Sequence, residues 1–213
     1  MGSIADRLKA LPVSDSSVSY WQAESQDSPL HDHGKEEALP SASSAVDVVI
    51  IGSGMSGAVA AYELQRKAPD LSIVMLEARQ ACSGATGRNG GHCRPDSFLG
   101  FNRYSAIVGK EQAHQVLLNE WNTFNYTREI VKREEIQNCD WWEGLTMSVY
   151  LNEASMKEAQ QSYNAYKEYT SLRPGVEFIE DTKRAQKVRN FLPSNEAVVA
   201  QEEAHIKASA PYR

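Results

Sequence analysis

The stretch Asp47-Val-Val-Ile-Ile-Gly-Ser-Gly-Met-Ser-Gly57 decides the fold of this chain. Its run of β-branched residues predicts a strand that is buried on both faces of a parallel sheet. Gly52 permits the tight turn that follows, Gly54 removes a side chain that would block a pyrophosphate, and Gly57 lets the next helix lie close to the strand. The start of that helix presents amides and the positive end of its dipole to phosphate oxygens. The stretch therefore predicts a dinucleotide site.

The residues that follow complete a strand–helix–strand unit. Ala61 and Leu64 extend the helix with small and apolar side chains, and residues 71–76 supply a second apolar strand. Glu77 follows this strand, about 20 residues after the last glycine, where a carboxylate accepts the hydroxyls of a ribose. Its negative charge disfavours the 2′-phosphate of NADP. The alternative is a unit in which the glycines serve only packing.

A second glycine-rich stretch, Ser83-Gly-Ala-Thr-Gly-Arg-Asn-Gly-Gly-His-Cys-Arg94, comes shortly after the acid. A glycine inside a helix or strand costs about 1 kcal/mol, so this density of glycine predicts a loop. A loop directly after Glu77 lies at the carboxyl edge of the sheet, where ligands bind in open α/β folds. Its glycines allow a flat ring to approach the backbone, and its amides form an anion-binding concavity. A flavin needs such a second loop, whereas a nicotinamide does not.

The two glycine motifs together resemble those of a known family. Gly52-x-Gly54-x-x-Gly57-x-x-x-Ala61-x-x-Leu64 with Glu77, and then Gly84-Ala-Thr-Gly-Arg-Asn-Gly-Gly91, are similar to the N-terminal third to half of the D-amino-acid oxidase/sarcosine oxidase (DAO) family of FAD-dependent oxidoreductases, above all its fungal members. The lead before the first strand also matches, in Tyr20-Trp21, Pro29-Leu30 and Leu39-Pro40. The resemblance covers most of residues 20–150. It implies an α/β fold, with a Rossmann-like FAD-binding domain of the GR2 type and the beginning of an α+β substrate domain, apparently incomplete.

The resemblance implies noncovalent FAD and a set of cofactor-binding residues, but it assigns no catalytic residue within this stretch. The expected cofactor-binding residues are Gly52, Ser53, Gly54, Met55, Ser56, Gly57, Glu77, Ala78, Arg79, Ala85, Thr86, Arg88, Asn89, Gly90 and Gly91. Arg79 is expected to stack on adenine or to stay at the surface. Arg88 is expected near the pyrimidine edge of the flavin, or in a phosphate or surface contact. Arg94 is expected to reach a substrate carboxylate, and neither His92 nor Cys93 is expected to attach the flavin.

The implied activity is oxidation of a C–N bond of an amine or amino acid. Hydride passes to flavin N5, the imine hydrolyses, and the electrons go on to oxygen or another acceptor. Family members are substantially longer than 213 residues, so the chain is expected to be incomplete. Two other classes stay open: a truncated, catalytically inactive relative that retains only ADP- and FAD-binding elements, and an NAD-linked Rossmann enzyme.

Composition limits the possible binding partners and the cellular compartment of the protein. The formal net charge is −6, which disfavours binding to a phosphate backbone, so no nucleic-acid partner is expected. No run of about 18 apolar residues predicts a membrane span. The three cysteines are unpatterned, which is typical of a reducing compartment, and a cytoplasmic protein is expected. His31 and His33 have no further ligand spacing to complete a metal site, so no metal is expected.

Three segments are expected: an irregular polar arm at 1–45, the FAD/dinucleotide-binding portion at 46–140, and the truncated start of a substrate domain at 141–213. Periodicity predicts an amphipathic helix over 109–135, with a core stripe of Ala113, Leu117, Trp121, Phe124 and Val131. Residues 141–151 predict a strand that turns at Gly144, and residues 153–169 a helix capped by Asn152. A short strand at 176–179, a helix from Asp181 to about Phe191 and a strand at 197–201 are expected beyond it.

Overall fold

The computed structural model describes residues 16–35, 37, 45–137, 139–150, 152–173, 175–180, 184 and 198–205, and at 144–147, 149 and 198–205 it describes the backbone alone. The described residues up to Gly90 form one compact unit, and those from Gly91 onward form a second. Of the predicted helix from Asp181 to about Phe191 only Arg184 is described, and the predicted Leu39-Pro40 lead lies outside the described residues.

The first unit contains the predicted strand–helix–strand arrangement. It has α1 (Tyr20–Glu24), β1 (Val48–Ile51), α2 (Met55–Lys67), β2 (Ile73–Leu76) and a 3-10 turn at Ala85–Gly87. β1 and β2 are parallel, with Val48 opposite Ile73. At the amino ends of the two strands, the Asp47 carboxylate accepts hydrogen bonds from the Ser72 amide at 2.8 Å and the Ser72 hydroxyl at 2.6 Å. These bonds fix the register of the pair.

The burial of β1 differs from the prediction. The apolar run predicted a strand covered on both faces, but alternate residues of β1 are exposed, with Val49 at 51% and Ile51 at 89%. Helix α2 covers the other face, where a Cβ on Gly57 would lie 3.2 Å from Ile50 Cγ2. Among the described residues β1 pairs only with β2, so the parallel sheet of this unit has two strands.

The second unit combines two long helices with an antiparallel sheet. Its elements are β3 (His92–Cys93), α3 (Phe101–Arg133), β4 (Trp142–Val149), α4 (Glu153–Tyr169), β5 (Glu177–Ile179) and β6 (Val198–His205). β6 pairs with β4 along its whole length, and β3 and β5 share the other edge of β6. The core lies between the helices, where Phe101, Leu117 and Ala159 are fully buried.

Several predicted elements of this unit are confirmed and others need correction. Helix α4 begins and ends as predicted, and the Asn152 side chain accepts a hydrogen bond from the Ser155 amide at 2.8 Å. The predicted helix at 109–135 is the second part of α3, which starts at Phe101 and is broken at Gly109, where φ is 82°. β4 does not turn at Gly144, because the backbone of that residue pairs in register with Glu203. Along α3, Ala113, Leu117 and Phe124 are buried, whereas Trp121 and Val131 are half-buried.

Candidate functional site

The first glycine turn brings the carboxyl end of β1 against the start of α2. Gly52 has a φ of +102°, a conformation that L side chains rarely adopt. A Cβ on Gly57 would lie 2.0 Å from the carbonyl oxygen of Gly52, so only glycine permits the helix to start this close to the turn. Gly54 is the N-cap and provides no capping side chain. The first-turn amides of a helix are a site for anions, and here the backbone is bare enough for one to approach.

The acid that follows β2 is held against this turn. Glu77 Oε2 accepts hydrogen bonds from the Ser53 amide at 2.9 Å and the Ser53 hydroxyl at 2.7 Å, and Oε1 accepts one from the Arg79 amide at 3.1 Å. Partial burial acts to raise the pKa of Glu77, but hydrogen bonds from Ser53, Arg79 and Ala78 outweigh it and hold the pKa below its usual range. Glu77 is therefore an ionised acceptor beside the glycine turn at neutral pH.

The second glycine stretch reaches the start of α2. Thr86 Oγ1 accepts a hydrogen bond from the Met55 amide at 2.9 Å, and a Cβ on Gly54 would lie 3.1 Å from the same oxygen. Asn89 Nδ2 donates to the Thr86 carbonyl at 2.7 Å, which closes the loop on itself. The predicted loop has some regular structure, since residues 85–87 form a 3-10 turn and His92–Cys93 form β3. Thr86 joins the two motifs that the sequence had only placed near each other.

Residues 16–24, which belong to the predicted polar arm, contact the second loop and include helix α1. Ser19 and Gln22 form a capping box at α1, in which the Gln22 amide donates to Ser19 Oγ at 3.2 Å and the Ser19 amide to Gln22 Oε1 at 3.0 Å. Trp21 Nε1 donates to the Asn89 carbonyl at 2.6 Å, and Gln22 Nε2 to the Ser83 carbonyl at 2.8 Å. Hydrophobic periodicity does not single out Ser19 and Gln22, although their Ser-x-x-Gln spacing is a signal for a helix start.

The remaining expected site residues fall into three places. Arg88 Nη2 donates to Ser16 Oγ at 3.1 Å and to the Ser17 carbonyl at 2.7 Å. Gly91 and Arg94 belong to the second unit, where the Arg94 guanidinium donates to the Ser148 hydroxyl. The other expected residues lie in the first unit: Ser56 at the start of α2, Ala78 after β2, and Ala85 and Gly90 in the second loop.

The first unit fits the ADP end of a dinucleotide. Its glycine turn is a cradle that a Cβ would fill, and its acid and helix amides are grouped at one end of the parallel strand pair. Within the described ranges, no group of histidine, cysteine, aspartate or glutamate residues is arranged to hold a metal ion. None of the described helices is both long enough and apolar enough to cross a membrane.

Comparison with known proteins identifies one family. The model of the DAO family, described as FAD dependent oxidoreductase, matches residues 47–210. The chain is similar to the probable oxidoreductase OrdL of Haemophilus influenzae, with 33% identity over 112 residues, which are 53% of this chain and 25% of that protein. It is also similar to a putative Rieske 2Fe-2S iron-sulfur protein, YhfW, of Bacillus subtilis, with 28% identity over 131 residues, 62% of this chain and 24% of that protein.

A shorter similarity extends to thiamine thiazole synthases. The protein of Phaeosphaeria nodorum is 42% identical over 74 residues, which are 35% of this chain and 19% of that protein. In the two longer matches, the chain spans about a quarter of the relative's length, 25% and 24%.

Proposed function

The chain belongs to the DAO family of FAD-dependent oxidoreductases, whose domain has a Rossmann-like α/β fold, and from this premise we propose that it binds FAD noncovalently and serves the oxidation of a C–N bond in an amine or amino acid. We extend the proposal to the finer architecture: an FAD-binding domain of the GR2 type followed by the beginning of a substrate domain.

One contact supports the proposal above all others, the hydrogen bond from the Met55 amide to Thr86 Oγ1 at 2.9 Å. It places the loop after the second strand beside the helix end that receives a pyrophosphate. A ligand bound at the first motif therefore continues onto the second, as a dinucleotide with a flat ring at its far end must do. A nicotinamide enzyme does not need the second contact, and the family match removes the NAD-linked alternative.

Each element of the site has a defined task in this proposal. The amides at the start of α2 bind the pyrophosphate, since Gly54 carries no side chain to cover them and Gly57 lets α2 start beside the turn. Glu77 binds the adenosine ribose as a carboxylate. The Ser53 hydroxyl, at 2.7 Å from Glu77 Oε2, takes the place of a ribose hydroxyl and rotates aside when the nucleotide binds. Thr86 and Asn89 hold the second loop against the phosphates and the ring.

The cysteines favour a noncovalent cofactor. Burial raises the pKa of Cys93, against a smaller lowering by a hydrogen bond with Thr127. Burial also raises the pKa of Cys82, and the charge of Glu77 raises it further. The thiolate is the nucleophile in cysteine chemistry, so thiols that stay protonated at neutral pH are poor candidates for attachment to a flavin.

When FAD is bound, its ring supplies the redox chemistry by accepting a hydride from the carbon beside the substrate nitrogen. The chain contributes binding, orientation and charge. Arg94, in the second unit, is proposed to bind a substrate carboxylate. Its hydrogen bond to the Ser148 hydroxyl fixes the position of the guanidinium within that unit.

The test begins with the full chain mixed with FAD and freed of excess cofactor. We expect a yellow protein, and acid precipitation should release all of the flavin to the supernatant. Gly54→Val is the control, because its side chain would press on Thr86 Oγ1 and cover the pyrophosphate amides. The loaded protein is then mixed with amines and amino acids, with peroxide or dye reduction as the readout. A protein that binds ADP but stays colourless with FAD would contradict the proposal.

The same experiment decides the alternative, a relative that binds the dinucleotide but does not turn over. That protein would be yellow, would release its flavin on denaturation, and would leave the flavin oxidised with every substrate under anaerobic conditions.

A further inference from the structure

We infer that residues 16–24 are a clamp that positions the second glycine loop for the flavin half of the cofactor, with Trp21 and Gln22 as positioning residues. The inference rests on the proposed function, because the ligand of that loop is taken to be a flavin. We call residues 16–24 the N-terminal clamp.

The N-terminal clamp binds three carbonyl groups of the loop from one side. Trp21 Nε1 donates to the Asn89 carbonyl at 2.6 Å, Gln22 Nε2 to the Ser83 carbonyl at 2.8 Å, and the Ser19 hydroxyl to the Gly87 carbonyl. A glycine-rich loop has few side chains of its own to satisfy or fix its backbone. The clamp supplies these partners from residues more than 60 positions away.

These bonds orient the amides of the loop. The described backbone has no cis peptide bond, and in a trans peptide the carbonyl of one residue points opposite to the amide of the next. The Ser83 carbonyl faces Gln22, so the Gly84 amide points away from the clamp. The Asn89 carbonyl faces Trp21, so the Gly90 amide also points away. The clamp therefore presents the Gly84 and Gly90 amides on the side opposite to itself, where the polar edge of a ring can accept them, whereas the amides of Gly87 and Arg88 donate to the Gly84 and Ala85 carbonyls within the loop.

Two further contacts show that the clamp and the loop are fitted to each other. Gly87 lies so close to the clamp that a Cβ would be 3.1 Å from Gln22 Cγ, besides 2.6 Å from the Cys82 carbonyl oxygen. Arg88 reaches back to the clamp and donates to Ser16 Oγ and to the Ser17 carbonyl at 2.7 Å. The loop thus contributes the Arg88 guanidinium and the Gly87 backbone, which has no side chain, to its contact with the clamp.

The clamp depends on the loop in return. Helix α1 has five residues, and a helix of that length is not stable alone in water. Its capping box stabilises one end, and the bonds from Trp21 and Gln22 to the loop supply the tertiary contact that the helix requires. The two segments therefore order together, and a substitution in the clamp acts on the loop.

The test uses two variants of the full chain that each remove one donor. Trp21→Phe keeps an aromatic ring and removes Nε1. Gln22→Glu keeps the acceptor that closes the capping box and replaces the donor to Ser83 by an oxygen. Asp70→Asn is the control, because Asp70 is exposed in the turn between α2 and β2 of the same unit, outside the clamp. Binding of FAD and of ADP is measured by titration, and amide exchange of residues 84–90 is measured without any ligand.

We expect Trp21→Phe and Gln22→Glu to weaken FAD about fivefold each, the usual effect of one lost hydrogen bond, and to leave ADP within about twofold of the unsubstituted protein. Exchange at 84–90 should accelerate in both variants and not in Asp70→Asn. Unchanged FAD affinity in both would overturn the inference, and so would an equal loss of ADP, which would show general damage to the unit. If the unsubstituted protein binds ADP but not FAD, the proposed function is wrong. The titration of the unsubstituted protein with both ligands distinguishes this result from the two outcomes that would overturn the inference.

Discussion

The hydroxyl of Thr86 accepts a hydrogen bond from the amide of Met55 at 2.9 Å, so the two glycine motifs meet at one backbone group. The Met55 amide belongs to the first turn of α2, where a pyrophosphate is expected to bind. A hydroxyl that accepts one bond still has a proton to donate. Thr86 can therefore stay on Met55 and pass a hydrogen bond on to a phosphate oxygen.

Thr86→Val removes this hydroxyl at nearly constant volume. We expect ADP and FAD to bind about tenfold more weakly, because a hydrogen bond to a charged phosphate is worth about 1.5–3 kcal/mol. Thr86→Ser keeps the hydroxyl and should restore most of the affinity. Equal titration curves for Thr86→Val and the unsubstituted protein would show that Thr86 only ties the loops and does not contact the nucleotide.

The Glu77 carboxylate makes the first unit sensitive to acid. Hydrogen bonds from Ser53 and Arg79 hold the pKa of Glu77 below its unfolded value, which is about 4.3. Its stabilising contribution is therefore complete above about pH 4.3 and disappears as the pH falls through the lower, folded-state pKa. The midpoint of thermal unfolding should drop less steeply below about pH 4.3 in Glu77→Gln than in the unsubstituted protein.

The control for this prediction is Asp70→Asn, at an exposed residue of the turn between α2 and β2. It should keep the full pH dependence. Glu77→Gln should also weaken ADP at pH 7, because an amide is a poorer acceptor for ribose hydroxyls than a carboxylate. A Glu77→Gln protein with the same slope in acid would place the responsible group elsewhere.

Elements governed by local rules were predictable from the sequence. Asn152 caps α4 as the spacing indicated, and Ala113 and Leu117 are buried as the three- to four-residue period indicated. Both features depend only on neighbours within about one or two helical turns. The strand–helix–strand unit was readable for the same reason, since glycine at Gly52 and Gly57 has few explanations other than a tight turn and a close helix.

Features that depend on distant partners were not readable. The Trp21–Asn89 hydrogen bond spans 68 residues and involves polar groups that follow no period. The exposure of Ile51 was not predicted, because an apolar run indicates that a strand is buried but does not identify the segment that packs on it. The periodic pattern that begins after Gly109 predicts a helix start there, whereas the helix starts at Phe101 and is broken at Gly109.

Gly57→Ala tests whether the close approach of α2 to the glycine turn is obligatory. The added Cβ would lie 2.0 Å from the Gly52 carbonyl oxygen, so α2 must move away. We expect a loss of about 1–3 kcal/mol in unfolding free energy, as for other overpacked sites, and loss of ADP binding. Gln65→Ala, at an exposed position further along α2, should change neither. Normal nucleotide binding by Gly57→Ala would refute the placement of the pyrophosphate at this helix end.

Arg173 stabilises the second unit by joining two chain segments, and its replacement should be costly. Its guanidinium lies 4.6 Å from the centre of the Trp121 ring and donates to the Asp96 carbonyl at 3.1 Å and to Ser97 Oγ at 2.8 Å. Arg173→Met leaves the buried Ser97 hydroxyl without this donor, so we expect a loss of about 1–3 kcal/mol by chemical denaturation. Arg103→Met is the matched control, because Arg103 is exposed and its guanidinium lies 5.0 Å from the ring of its neighbour Tyr104, so its replacement should cost less than about 0.5 kcal/mol. Equal stabilities of the two variants would mean that water replaces the Arg173 contacts without loss.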